Sequence, residues 1–418
     1  MLSVDEAIAA ILARAQRLPR VVYPLAETLG LVLDEEIVAD IDLPPFDKAL
    51  MDGYAVRSED FSSENPRRFH VLEEVTAGQT PRYAIEPGQA TAIMTGAPLP
   101  LGADAVVMVE RSRKLAGDLV ELTGPVRPGM NRLTRGREMR AGEVLLARGT
   151  VVDAAKVGLI ASAGRARVAV IPPPIVEVVS TGDELVDIER TPAPGQIRDT
   201  NAATLASLAR AWGVAHVRQR SAVPDDPGQL LEALGEILLK RQADVLLISG
   251  GVSAGTRDLV PAALESLGVE PVFHKVRIRP GKPLWFGVGP KRAGDLPPTL
   301  VFGLPGNPAS SVVGFLRFVR PALDRLAGRG DRSDLSTERL AATYQHQGDR
   351  PTCHPAVFEN GRVRPLDWAG SADLRTVALA DGFAVFPEGD ASYQAGDAVS
   401  FLRFDRSSDL PSSLAAKM

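Results

Sequence analysis

"IPPPIVEVVSTGDEL", residues 171–185, is where the pattern of the chain changes most sharply. Three prolines close off the preceding segment, because proline cannot donate into a sheet ladder. "IVEVVS" then reads as a strand that stops in Thr181-Gly182-Asp183-Glu184. Beyond it strand, turn and helix repeat. "TNAATLASLARAWG" is a helix with Leu205, Leu208 and Trp212 on one face and Gly213 as its stop. "GQLLEALGEILLK" is a second. "ADVLLIS" is apolar almost throughout, the mark of a parallel strand covered on both faces. "TLVFGL" is another strand. "ASSVVGFLRFVRPALDRLAG" is a long helix entered through Asn307 as N-cap and Pro308 at its first position. Residues 172–328 therefore read as a doubly wound α/β domain.

Outward from this domain the pattern differs on each side. Ser3 and Glu6 form a capping box ahead of Ile8, Ile11, Leu12 and Ala15, which predicts an amphipathic helix over 4–16. From about 20 to 171, short β-rich runs alternate with Gly/Pro turns, in two pieces. After 330, "LAATYQ", "GFAVFPEG" and "AGDAVSFLRF" return to strand spacing, giving a small β domain to 405. The expected fold class is a multidomain α/β chain: a central doubly wound domain with mostly-β domains around it. A chain of 418 residues is long enough for several domains.

Composition excludes several function classes. Hydrophobic residues are 45%, charged residues 24%, and the net charge is −5, which is no footprint of a nucleic-acid binder. A single cysteine, Cys353, rules out an intrachain disulfide and fits a reducing compartment. No apolar run approaches a membrane span, and "MLSVDEAIAA" lacks the order of a signal peptide. The expectation is a cytoplasmic protein without nucleic-acid or membrane partners.

In open parallel sheets, ligands bind beyond the carboxyl ends of the strands. Three predicted strand ends carry polar loops: Ser180–Glu184, Ser249-Gly250-Gly251-Val252-Ser253-Ala254-Gly255, and Pro305-Gly306-Asn307-Pro308. Glycines there allow backbone N–H groups to close on an anion. One such loop is often only a tight turn; three on one edge point to a ligand site. Neither the Walker loop nor the dinucleotide fingerprint is present. Asp183, Glu184 and Asp258 flank these loops. Singly each reads as a cap or a solvated charge, and together they would suit Mg²⁺ with a substrate phosphate. In "HKVRIRPGKPLWFG", Lys275, Arg277 and Arg279 would share one face of a strand, with Lys282 past the Pro280-Gly281 turn. This is either an edge strand blunted by charge or a basic rail for an oxyanion. "PPFDKALMDGYAV", residues 44–56, holds Asp47 and Asp52 around what reads as a glycine turn entering a strand, either a solvated loop or one presenting an acid to a ligand.

These stretches, with "IMTGAPLPLGADAVVMVE", "GQIRDTNAATL", "SGGVSAGTRD", "IRPGKP" and "LPGNPAS", occur in the order seen in molybdopterin molybdenumtransferases. The chain resembles this MoeA family, which includes the gephyrin E domain, from about residue 3 to 405. The resemblance implies an elongated homodimer of four-part subunits. The parts would be 1–46 with 131–171 as a linking domain, 47–130 as a β domain carrying Asp52 and Thr95, 172–328 as the molybdopterin-binding-type domain, and 330–405. It implies insertion of molybdate into adenylylated molybdopterin with release of AMP, assisted by Mg²⁺ or another divalent cation. Further implied partners are other cofactor-biosynthesis proteins and molybdoenzyme acceptors. The family's functional acids fall on Asp52, Glu184 and Asp258, its threonine on Thr95, and its basic residues on Lys275 and Arg279. Pro305, Pro308, Arg350 and Ser371 match the family's molybdate pocket. Substrate contacts are expected at Thr181, Gly182, Gly250, Gly251, Ser253, Gly255, Lys282, Gly306 and Asn307, and metal contacts at Glu184, Asp258 and Asp183. The chain departs from the family at Ala49-Leu50, usually Ser-Ala, at Glu138, usually Asp, and through "DRPTCHPAV", residues 349–357. The rival readings are a non-catalytic assembly protein and a molybdopterin adenylyltransferase.

Overall fold

A computed structural model describes residues 1–61, 66–241, 243–252, 259–330 and 335–404. The chain forms two compact units, one from Met1–Tyr23, Gly30–Asp34 and Ala169 onward, the other from Pro24–Leu29 and Glu35–Val168.

The first unit is built on a six-stranded sheet. Its strands are β1 Ile175–Ser180, β2 His216–Gln219, β3 Val245–Ser249, β4 Glu270–His274, β5 Trp285–Val288 and β6 Leu300–Leu304, in the order β2-β1-β3-β6-β5-β4. The first four in that order are parallel, and β5 runs antiparallel to both neighbours. Parallel strands need crossovers, supplied here by helices. Helix α1 is Val4–Leu12, and the domain's own helices are α2 Thr200–Ala211, α3 Pro227–Gly235, α4 Leu259–Ser266 and α5 Pro308–Gly314. Every residue of β3 is buried, as expected for a strand covered on both faces. Burying each Val, Leu or Ile of such a strand contributes about 1.5–3 kcal/mol.

The predicted first helix is real but short. The capping box is present, and α1 ends at Leu12 rather than 16, with the Arg14 N–H turning back on the Ile11 carbonyl at 3.0 Å. The long helix after Pro308 is broken into α5, a π turn over Phe315–Val319, and α6 Arg320–Leu326. Residues 335–404 hold a five-stranded antiparallel sheet in the order Leu335–Arg339, Ala398–Arg403, Gly382–Phe386, Thr352–Glu359, Arg362–Pro365. Among the described residues, no helix is long and apolar enough to cross a membrane.

The second unit carries another six-stranded sheet, whose members include Gly53–Val56 paired with Ala105–Met108 and Gln89–Ile93. Gly53 is not a turn glycine: it opens the strand. A Cβ there would sit 1.9 Å from the Val107 carbonyl oxygen, so the residue serves close backbone approach.

Candidate active site

The register of the central sheet sets the first half of the site. Ser180, Ser249 and Leu304 lie side by side across β1, β3 and β6, so the three loops beyond them leave the sheet at one level. Gly250 has φ +96°, and a Cβ on it would lie 2.4 Å from the Thr181 carbonyl oxygen. Gly251 has φ +63°, and a Cβ on it would meet Val260 at 2.6 Å. Only glycine permits this approach of loop to loop.

Buried polar side chains brace the edge. Asp199 Oδ1 caps α2 by accepting from the Ala202 N–H at 3.0 Å, and it also accepts from the Ser180 hydroxyl at 2.9 Å. Asn201 Nδ2 donates to Ser249 Oγ at 2.9 Å and to the Gly306 carbonyl at 2.6 Å, tying the second loop to the third. The result is a cleft of about 420 Å³. Its walls include Thr181, Gly182, Glu184, Gly250, Gly251 and the whole of Pro305–Pro308. The Thr181 hydroxyl oxygen is buried there and finds no hydrogen-bond partner among the described residues. Asp183 stands outside the cleft and braces the neighbouring loop, its Oδ1 accepting from the Asp225 N–H at 3.0 Å. Ser253, Gly255 and Asp258 lie outside the described residues. Among the described residues, no three of His, Cys, Asp and Glu gather as a metal cluster.

The second half is a cavity of about 880 Å³ that shares Pro283, Pro305 and Asn307 with the cleft. Arg279, Lys282, Arg350 and Ser371 line it. The strand expected over Lys275–Arg279 does not form. The ladder ends at His274, and Lys275 takes φ +77°. The prolines nearby explain the break: Pro280 and Pro283 cannot donate, and the freed backbone pairs elsewhere. The Arg279 N–H donates to the Pro351 carbonyl at 2.9 Å, and the Cys353 N–H donates to the Arg279 carbonyl at 2.7 Å. Val276 and Ile278 are buried, so the alternation survives, but Lys275, Arg277 and Arg279 do not form one basic face. Arg277 is drawn to Glu388 at 2.6 Å, Lys275 lines neither cavity, and only Arg279 and Lys282 reach the site. Asn307 starts α5 as expected, but its side chain makes no cap; its Nδ2 donates to Ser371 Oγ at 2.9 Å across the joint. Arg350 Nε pairs with Asp349 Oδ1 at 3.1 Å, which holds the Asp349 carboxyl below its usual range.

The far wall was not read from the sequence. Tyr344, His346, Thr352, His354 and Trp368 all face this cavity. Burial lowers the pKa of His346 and His354 and raises that of Tyr344. The available signal was composition: two of the chain's five histidines fall within nine positions, 346 and 354. Asp199 and Asn201 were also missed in the cleft, where "RDTN" opens a helix. Cys353 is buried, its thiol pushed up to about 12, so it takes no part as a thiolate.

Three family models match in chain order: "MoeA N-terminal region (domain I and II)" over residues 2–164, "Probable molybdopterin binding domain" over 177–325, and "MoeA C-terminal region (domain IV)" over 337–404. The chain is similar to the molybdopterin molybdenumtransferase of Nostoc, at 34% identity over 91% of this chain and 83% of that protein. It is also similar to molybdopterin molybdenumtransferase 2 of Mycobacterium tuberculosis, at 37% over 90% and 93%. The chain belongs to the MoeA family. As a member it is a transferase of molybdenum cofactor biosynthesis. Its fold agrees with the crystal structure of a molybdopterin biosynthesis MoeA protein from Pyrococcus horikosii, at a TM-score of 0.81 and 29% identity, covering 97% of this chain and 99% of that one.

The second unit of this MoeA family member separates the two acids of "PPFDKALMDGYAV". Asp47 is structural: its Oδ1 accepts from the Arg135 N–H at 2.8 Å and its Oδ2 pairs with Arg132 at 3.6 Å. Asp52 is exposed, and its Oδ1 accepts from both the N–H and the hydroxyl of Thr95, each at 2.7 Å. Those bonds hold its carboxyl below the usual range, so it is a fixed anion at neutral pH.

Proposed function

We propose that the chain inserts molybdenum from molybdate into adenylylated molybdopterin and releases AMP in the cytoplasm, assisted by Mg²⁺ or another divalent cation. One observation carries this reading: a cleft walled by glycine-rich strand-end loops runs into a cavity walled by Arg279, Lys282 and Arg350. Both substrates are anionic. The loops would hold the adenylylated pterin by its phosphate, and the cations would hold molybdate beside it. Rate would come from positioning and fixed charge rather than from a nucleophilic side chain. Lys275, Thr95, Ser253 and Gly255 are carried in the same proposal on the family match.

The cleft offers the donors a hard cation prefers. Glu184 and the Thr181 hydroxyl, buried and without a partner among the described residues, are oxygens on one wall, and Asp258 follows the second loop in sequence. Glu184 and Asp258 would hold the cation, with Asp183 bracing the loop. The cation would neutralise phosphate charge as AMP leaves. The four-part division of the chain and a C2 homodimer belong to the same reading, with Asp52 of one copy completing the site of the other.

The test is molybdate-dependent AMP release from adenylylated molybdopterin by the purified protein. Asp52→Asn and Glu184→Gln should each stop turnover while leaving the melting temperature unchanged. After subunit exchange between them, half the dimers are mixed and each carries one intact site, so activity should return to roughly a quarter of wild type. No recovery in demonstrated mixed dimers would place Asp52 in its own subunit's site or in none. Wild-type rates from Glu184→Gln across Mg²⁺ concentrations would remove the metal assignment. No AMP release from the wild type would turn the reading to a binding or assembly protein.

A further inference from the structure

Residues 349–357 supply His354 to the larger cavity, where it meets Tyr344. The imidazole is gripped at both nitrogens. Nε2 lies 2.7 Å from the Leu366 carbonyl oxygen and Nδ1 lies 3.0 Å from the Tyr344 hydroxyl. A carbonyl oxygen only accepts, so Nε2 carries a hydrogen in either charge state. In the neutral ring Nδ1 is then bare, and it accepts the hydrogen of Tyr344. The tyrosine thus commits its one hydrogen to the imidazole and turns only lone pairs to the cavity. That is the wrong polarity for an oxyanion. A second proton on His354 reverses it. Nδ1–H then donates to the tyrosine oxygen, and the tyrosine hydrogen is free to point at a bound anion.

The surroundings bear on that second proton. Tyr344 and Trp368 pack edge-on against the imidazole at 5.1 Å and 5.5 Å. Burial is the main force against a positive charge on it, the bond to the Leu366 carbonyl favours one, His346 and Arg279 oppose it, and Asp367 favours it. A dianion beside Arg279 offsets the arginine's field and tips the balance toward protonation. Tyr344 stays a neutral hydroxyl throughout, since burial raises its own pKa.

We propose that Tyr344 is an oxyanion-binding residue of the larger cavity, and that His354 is its positioning residue, turning the hydroxyl from acceptor to donor as an oxyanion and one proton bind together. The inference rests on the reading of this cavity as the molybdate site.

Calorimetric titration of the full-length protein with molybdate, in buffers of differing ionisation enthalpy, tests both. Wild type should take up a proton on binding, and its affinity should rise about fivefold or more from about pH 8 to about pH 5.5. Tyr344→Phe should bind with no such slope and lose the whole gain at the acid end. His354→Gln, neutral at every pH, should be equally flat, and either variant suffices if the other fails to fold. Wild-type binding without a slope overturns the linkage. A slope that survives in Tyr344→Phe also overturns it, assigning the proton to His346 or to molybdate. No binding at any pH overturns the site reading, and this inference with it.

Discussion

The strand-end cleft is built around three glycine-bearing loops, with 197–201, Asp225 and Pro283 completing its wall, whereas the larger cavity is walled by four separate stretches, 278–283, 305–310, 344–354 and 368–371. In the cleft, geometry comes from strands ending in register and from glycines where a Cβ cannot fit. Gly250 and Gly251 cannot take a side chain without moving their loop against the sheet edge. In the cavity, Arg279 and Lys282 are exposed and can be replaced with the frame left standing. The two halves should therefore fail differently when mutated.

The largest effect is expected at Gly250. Alanine there would be strained at φ +96° and would press on the Thr181 carbonyl oxygen, which is backbone and cannot swing away. The conformational strain alone is worth about 1–3 kcal/mol. Gly250→Ala should lower the melting temperature by several degrees and abolish turnover. Gly306→Ala, whose Cβ would find its nearest neighbour at 3.8 Å, should fold normally. If the two variants melt alike, the backbone account of the cleft is wrong.

That contrast also explains what was legible in the sequence. The α/β domain was, because β-branched runs, caps and glycine stops act over neighbouring residues. The cleft was, because three strand ends of one parallel sheet share an edge by topology. Asp199 and Asn201 were missed because a helix cap and a site brace look the same in sequence. The cavity was legible through Arg279 and Lys282 and, by the family resemblance, through Pro305, Arg350 and Ser371. Even there Lys275–Arg279 misled, since the alternation of Val276 and Ile278 survives outside a ladder. Tyr344, His354 and Trp368 are ordinary core-type residues until the fold turns them to one space. Asp52 and Asp47 are five apart and chemically alike, and only their partners, Thr95 against Arg132 and Arg135, tell them apart.

A smaller effect, confined to binding, is expected at Arg279. Arg279→Ala should leave the melting temperature unchanged and raise the half-saturation for molybdate by about tenfold, the size of one charge-assisted contact. Salt should shrink the difference, because a screened field loses reach as the Debye length falls. Lys275→Ala should cost less, as Lys275 lines neither cavity. Equal losses from the two would mean that the segment acts through its summed charge rather than through the cavity wall.

The smallest effect is expected at the joint between the halves. Asn307 Nδ2 donates to Ser371 Oγ, and the Ala309 N–H donates to the Ser371 carbonyl at 3.1 Å, so Ser371 is held to the third loop twice. Only the first bond depends on side chains. Asn307 stands at the N-cap of α5 without a capping bond, so Asn307→Ala removes the joint and no cap. The bond is exposed, which puts its net worth near the low end of about 0.5–1.5 kcal/mol. A double-mutant cycle of Asn307→Ala and Ser371→Ala should give a coupling of that size in stability. The same cycle in molybdate half-saturation should show a rise of a few fold in either single variant and nothing further in the double. Fully additive effects would mean that the two halves meet without this bond setting their alignment.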